Sequence, residues 1–141
     1  FMCFNLLGIT ISKLYNKEVH MCEINERAYN LINENIRNNK AENIIAYHSD
    51  LFEALPNDLK FASIVTNPPI RAGKKVIYKM FEEAKGLLNK NGSLFFVIRK
   101  SHGAESASKF VNSVFGNCTL LKREKGYYIY QAINDDQNTN V

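Results

Sequence analysis

Short apolar runs rich in Val, Ile, Phe and Tyr alternate along this chain with longer stretches whose apolar residues recur every three or four positions. The pattern predicts a helix over 7–16, a strand over 18–22, and a helix over 26–38 capped by Asn25. Ala28, Leu31, Ile32, Asn35 and Ile36 give that second helix one mainly apolar face. Strands are expected at 43–48 and 61–65, followed by a helix over 74–89 that Asn91-Gly92 ends. Residues 93–98 are almost wholly apolar, which suits a strand covered on both faces. A helix over 103–115 leads to strands at 118–124 and 127–133, joined through Lys125-Gly126. So short a link makes the last two strands an antiparallel hairpin. The alternation as a whole implies an α/β fold, with an open sheet that is mostly parallel and carries a reversed strand.

One interruption of this pattern carries more information than the rest. Asn67-Pro68-Pro69-Ile70 follows directly on the 61–65 strand. Proline fixes φ and has no N–H, so neither ring can continue a sheet ladder, and Pro68 also pushes Asn67 out of helical geometry. The strand must stop there in a rigid ledge. On it, the Asn67 side-chain amide and the Pro68 carbonyl can point outward together as hydrogen-bond acceptors, and a ligand NH2 group is their natural partner. Taken alone, Asn-Pro is also ordinary turn punctuation.

Open sheets bind ligands in the crevice beyond the carboxyl ends of their strands. There the chain presents Glu23, Asp50, Asn67, and the pair Arg99 and Lys100, none of them apolar. Carboxylates mark one part of that edge, and Arg71, Lys74, Lys75, Arg99, Lys100 and His102 the other. Glu23 can be a helix cap or solvated turn, or it can take the two hydroxyls of a ribose, as a carboxylate after the second strand of a βαβ unit does. Asp50 could accept from an adenine amino group. Arg71, Lys74 and Lys75 are either solvated cations or phosphate contacts beside Asn67.

Bulk properties narrow the class without choosing within it. A chain of 141 residues, 45% hydrophobic and 23% charged, fits one globular domain with a real core, and only 134–141 reads as a disordered tail. Cys3, Cys22 and Cys118 are odd in number and widely spaced, so they suggest reduced core thiols rather than a disulfide framework or a metal site. No apolar run approaches the roughly 20 residues of a spanning helix, and a cytoplasmic protein is expected. The net charge of +4 is mildly basic and permits an acidic partner.

With these residues in place, the chain resembles a class I S-adenosylmethionine-dependent methyltransferase of the small-domain group that modifies guanine N2 in ribosomal RNA. Asn67-Pro68-Pro69-Ile70-Arg71-Ala72-Gly73-Lys74 carries most of the likeness. It is supported by Glu23-Ile24-Asn25-Glu26-Arg27-Ala28, by Ser49-Asp50-Leu51-Phe52, by Arg99-Lys100 with Gly103-Ala104, and by Lys125-Gly126-Tyr127, so that it spans about 7–133. The resemblance implies a Rossmann-like sheet, S-adenosyl-L-methionine as cofactor, and ribosomal RNA or the small ribosomal subunit as partner, without metal or membrane. It assigns Gly8, Glu23, Ile24, Asp50, Leu51 and Asn67 to the cofactor. Asn67, Pro68, Pro69 and Ile70 form its catalytic tetrad, with Ile70 packing beside the base where amino-methylating relatives carry an aromatic. Arg71, Lys74, Arg99 and Lys100 are its phosphate contacts.

The opening of the chain departs from that pattern. Family members begin with a buried strand ending in an acidic residue and a loop of the type Asp-x-Gly-x-Gly-x-Gly, whereas here only Gly8-Ile9 matches, preceded by Phe4, Asn5, Leu6 and Leu7. The chain also starts at Phe1, in apolar pattern at once. A domain truncated at its N-terminus or degenerate in the loop is therefore expected, with the first central strand largely missing and residues 1–5 supplying a stub of it. Two other readings follow: an RNA-binding remnant without a working cofactor pocket, or a truncated gene product. A dehydrogenase is disfavoured, since nothing resembles a hydride-transfer site.

Overall fold

A computed structural model describes residues 2–3 and 5–135, and the described chain groups into two compact units that divide between Leu59 and Lys60. The first unit runs β1 (Met2–Cys3), α1 (Asn5–Tyr15), β2 (Val19–Glu23), α2 (Glu26–Asn38) and β3 (Ile44–His48). β2 is the middle strand, pairing in parallel with β1 through Met2↔His20 and Cys3↔Met21, and with β3 from Val19↔Ile44 to Glu23↔His48. The expected stub of a first strand is thus two residues long. Val19 and Met21 are buried on one face of β2, and His20 is buried on the other, its ring nitrogens 2.9 Å from the Tyr47 hydroxyl and 2.7 Å from Glu18 Oε1.

α2 begins where the sequence places it because Asn25 is extended, at φ −76° and ψ 118°, and its side-chain oxygen accepts from the Ala28 N–H at 2.9 Å. Its apolar face is narrower than expected. Ile32 is buried and Ala28 and Ile36 are half-buried, but Leu31 is 51% exposed. Ala28, Ile32 and Ile36 are spaced by four and form one stripe, whereas Leu31 falls off its edge.

The second unit runs β4 (Phe61–Thr66), a 3-10 turn over Ile70–Ala72, α3 (Lys74–Leu87), β5 (Leu88–Arg99), a 3-10 turn over Lys100–His102, α4 (Ala104–Phe115), β6 (Thr119–Glu124) and β7 (Tyr127–Ile133). β4 and β5 are parallel, β5 and β7 antiparallel, and β7 and β6 antiparallel, so the reversed hairpin is where it was expected. Lys125 and Gly126 have φ of 51° and 81°, the double positive of a type I′ turn. Phe81, Phe96, Leu94, Val111 and Ala132 are sealed from water, with the Phe81 and Phe96 rings 4.9 Å apart and Phe96 stacked on Tyr130 at 5.1 Å. Phe95 and Val97, on the opposite face of β5 from Leu94 and Phe96, are half-buried.

Two expectations are corrected here. α3 ends at Leu87 rather than at 89, and β5 begins before Asn91-Gly92, which sits inside the strand and not at the helix end. The cause is a clasp made by a residue distant in sequence. Asn91 N–H donates to the Asn134 carbonyl and Asn134 N–H to the Gly92 carbonyl, each at 2.8 Å. A Cβ at Gly92 would lie 2.9 Å from the Asn89 carbonyl oxygen and 3.0 Å from that of Phe61, so only glycine lets these backbones meet. The second correction concerns the tail. Asn134 is buried, and its side-chain N–H2 donates to the carbonyls of Leu88 at 3.1 Å and Asn89 at 3.4 Å. Asn134 therefore belongs to the fold; residues 136–141 of the expected tail lie outside the described residues.

Candidate active site

In the second unit, β4 ends at Thr66, buried with its hydroxyl 3.7 Å from Met80 Sδ. Asn67 then emerges exposed, Pro68 is buried beneath it, and Pro69 at φ −76° starts the 3-10 turn. That turn is closed by Ala72 N–H on the Pro69 carbonyl at 2.9 Å and Gly73 N–H on the Ile70 carbonyl at 3.2 Å. The ledge is thus braced from both sides. Among the described residues nothing donates to the Asn67 side-chain oxygen or to the Pro68 carbonyl.

The ledge opens on a hollow of about 640 Å³, lined on one side by Asn67, Pro69, Ile70 and Arg71. Ile98 and Arg99 at the end of β5, together with His102 and Tyr127, line the other. The β5–β7 register sets Tyr127 directly opposite Arg99, and the guanidinium carbon lies 4.9 Å from the centre of the Tyr127 ring. This stack fixes a long side chain that would otherwise wander in solvent. Of the cations named from sequence, Arg71 and Arg99 face this hollow, whereas Lys100 faces an adjoining one with Lys125 and Gly126. Lys74 lines a narrow cleft with Tyr78 and Gly103 that shares Ile98 and His102 with the ledge hollow. The sequence pattern does not mark Ile98 or Tyr127 as site residues, and it marks His102 only as one of the basic residues. Their signal lies in strand register: pairing the 127–133 strand backwards along β5 would have put Tyr127 beside Arg99.

In the first unit, Glu23 is half-buried at the end of β2, and its Oε2 accepts from the Asn25 N–H at 3.1 Å, so the carboxylate helps start α2. Ile24 beside it is 61% exposed, and its carbonyl lies 2.8 Å from His48 Nε2. Ser49 N–H donates to the Glu23 carbonyl at 2.9 Å, and Ser49 Oγ donates to the Leu51 carbonyl while accepting from Ala54 N–H. These bonds hold Leu51 at φ 53° and leave Asp50 exposed. The structure therefore gathers Glu23, Ile24, Asp50 and Leu51 at one edge of this unit. Burial pushes the neighbouring Cys22 thiol up to about 12, against an opposing hydrogen bond with Ser49.

Gly8 falls within the helix expected over 7–16. It lies inside α1, buried, where an added Cβ would come within 2.6 Å of Met21 Sδ. Close packing of α1 on β2 leaves no room for a larger residue here. Among the described residues no three His, Cys, Asp or Glu side chains gather to hold a metal, and no helix is long and apolar enough to cross a membrane.

Known proteins resemble this chain over most of its length. A Bacillus subtilis protein, YbxB, itself uncharacterized, is 42% identical over 127 residues, covering 89% of this chain and 63% of that protein. Ribosomal RNA small subunit methyltransferase C of Aliivibrio salmonicida is 27% identical over 129 residues, covering 87% of this chain and 36% of the relative. The structure of a T. thermophilus 16S rRNA N2 methyltransferase (RsmC) in complex with AdoMet and guanosine superposes with a TM-score of 0.72 at 26% identity, covering 82% of this chain and 31% of that one. The chain thus spans under two thirds of the length of these relatives. Residues 4–131 match the methyltransferase small domain, and the chain belongs to that family.

Proposed function

We propose that this chain transfers a methyl group from S-adenosylmethionine to the exocyclic N2 amine of a guanine in ribosomal RNA. The observation that carries this reading is the braced ledge of the second unit. It presents the exposed Asn67 amide, with the buried Pro68 behind it, to a hollow edged by Arg71, Arg99, His102 and Tyr127. The relatives that act on small-subunit ribosomal RNA, and the one bound to AdoMet and guanosine, support the choice of cofactor and base.

The residues of the first unit fit the nucleoside part of that cofactor. Glu23 is a carboxylate held at a strand end with one oxygen already anchored, suited to ribose hydroxyls, and the exposed Ile24 offers an apolar face to a purine. Asp50 and the strained Leu51 turn would meet its amino edge. When bound, S-adenosylmethionine supplies an electrophilic methyl group. Asn67 and Pro68 do the positioning. The guanine amine is flattened by conjugation with its ring, and accepting both of its hydrogens aims the nitrogen lone pair while the two acceptor dipoles favour the positive charge that develops there. No strong base is required, because the methylated ammonium loses its proton readily to water. Ile70 packs beside the base, and Arg71 and Arg99 hold flanking phosphates.

α1 already begins at Asn5, with Leu6 and Leu7 ahead of Gly8 where small residues would be expected, which favours a second reading, in which the chain binds RNA but holds the cofactor too weakly for turnover. One experiment separates the two. The chain is incubated with methyl-labelled S-adenosylmethionine and ribosomal RNA, and the digested RNA is analysed for modified nucleosides. N2-methylguanosine is the expected product; label in another nucleoside would overturn the base assignment, and RNA binding without label would favour the second reading.

A further inference from the structure

Beyond the hollow at the ledge, the second unit carries another concentration of positive charge, in which Lys125 joins the Arg99-Lys100 pair. The tip of the β6–β7 hairpin and the turn after β5 enclose a hollow of about 510 Å³ lined by Arg99, Lys100, Ser101, Lys125 and Gly126. The Lys100 N–H donates to the Gly126 carbonyl at 2.9 Å, which ties the two segments together. Three cations and a hydroxyl therefore surround one concave space with no carboxylate in its lining. Just behind it, Arg123 lies over the Tyr128 ring at 5.3 Å, and the one acidic side chain on this stretch of β6, Glu124, is paired with Lys122 at 3.2 Å.

Lys125 is the telling residue. It occupies the first central position of a type I′ turn at φ 51°, where asparagine, aspartate or glycine fit without strain and lysine does not. From this position Lys125 lines the cationic hollow. Arg99 lines both this hollow and the one at the ledge, so the two adjoin.

We infer that the hairpin tip is a phosphate-binding site for single-stranded RNA flanking the target nucleotide, with Lys100 and Lys125 as its principal contacts. This rests on the reading of the chain as an RNA methyltransferase. Neutralising a phosphate contact to single-stranded nucleic acid lowers the salt slope of binding by about 0.7, which is about fivefold in affinity at 0.1 M salt. The variants are Lys125→Asn, which relieves the turn, and Lys100→Gln. The probe is a fluorescent single-stranded RNA of about a dozen nucleotides containing one guanine, titrated by anisotropy over a range of salt, with melting temperature measured in parallel. Lys125→Asn is expected to keep or raise the melting temperature while weakening RNA about fivefold, and the double variant to weaken it about 25-fold with the slope reduced by about 1.4. Unchanged affinity and slope in both variants would overturn the inference, even if methyl transfer is intact. Wild-type chain that binds RNA with these losses on substitution yet transfers no methyl group would leave the inference standing and overturn the enzymatic reading. Wild-type chain with no RNA affinity would overturn both.

Discussion

Replacing Asn134 tests the clasp that decides where α3 stops and β5 starts. Its buried side-chain nitrogen faces carbonyls only, with Leu88 at 3.1 Å, Asn89 at 3.4 Å and Lys85 at 3.5 Å, while its Oδ1 is buried without a partner. Asn134→Ala removes one good and two marginal hydrogen bonds and leaves the Leu88 carbonyl unsatisfied, a loss of about 2–3 kcal/mol, but it also removes the orphaned oxygen and regains about 1 kcal/mol. The net expectation is a destabilisation of about 1–2 kcal/mol. Asn134→Asp keeps the shape and turns the donor into an acceptor, so a buried carboxylate would face three carbonyls. That should cost about 3 kcal/mol or more near neutral pH. The penalty should shrink as pH falls, because a protonated acid can donate again. Urea unfolding of the full chain at constant m-value measures both. If the isosteric Asp variant proved as stable at pH 7 as the Ala variant, the amide would not be donating to these carbonyls and the account of the clasp would fail.

Gly8→Ala should destabilise the chain by about 1 kcal/mol, since crowding against Met21 Sδ at 2.6 Å costs about 1–3 kcal/mol and the helix-propensity gain returns up to about 1. In a Met21→Ala background the same substitution should become stabilising, and a loss of the same size there would remove the packing explanation. Cys22 ionises near 9 when unfolded and, through burial, only near 12 when folded, so above about pH 9 the unfolded state binds fewer protons and this thiol's contribution to stability declines with rising pH. A Cys22→Ala variant should show a flatter fall in urea midpoint between pH 9 and 10.5 than the wild type; parallel curves would contradict the shift.

Much of this architecture is legible in the sequence because it is local. Asn25 caps α2 through its own side chain three residues on, the type I′ hairpin is encoded in two residues, and two prolines end β4 wherever the strand lies. The expected strand-end set of Glu23, Asp50, Asn67 and Arg99 likewise follows from counting elements. What escaped depends on distant partners. Asn91-Gly92 reads as a helix stop, but Asn134, more than forty residues later, turns it into part of β5. Leu31 looks like a core residue until the stripe formed by Ala28, Ile32 and Ile36 is fixed against β3, and Tyr127 enters the site only through its register with Arg99. Gly8 falls in the helix the sequence predicts, but the demand that Met21 makes on its open side is visible only in packing.

The central claim is that Asn67 orients an amine for methylation and does not bind the cofactor's affinity-determining groups. It is tested most directly by single-turnover methyl transfer to guanine-containing ribosomal RNA by wild type and Asn67→Ala, with S-adenosylmethionine affinity measured on both by calorimetry. Loss of one positioned hydrogen-bonding group from the reacting centre predicts a rate lower by about 100- to 1000-fold. Cofactor affinity should stay within about threefold. Near-normal transfer by Asn67→Ala would contradict the account.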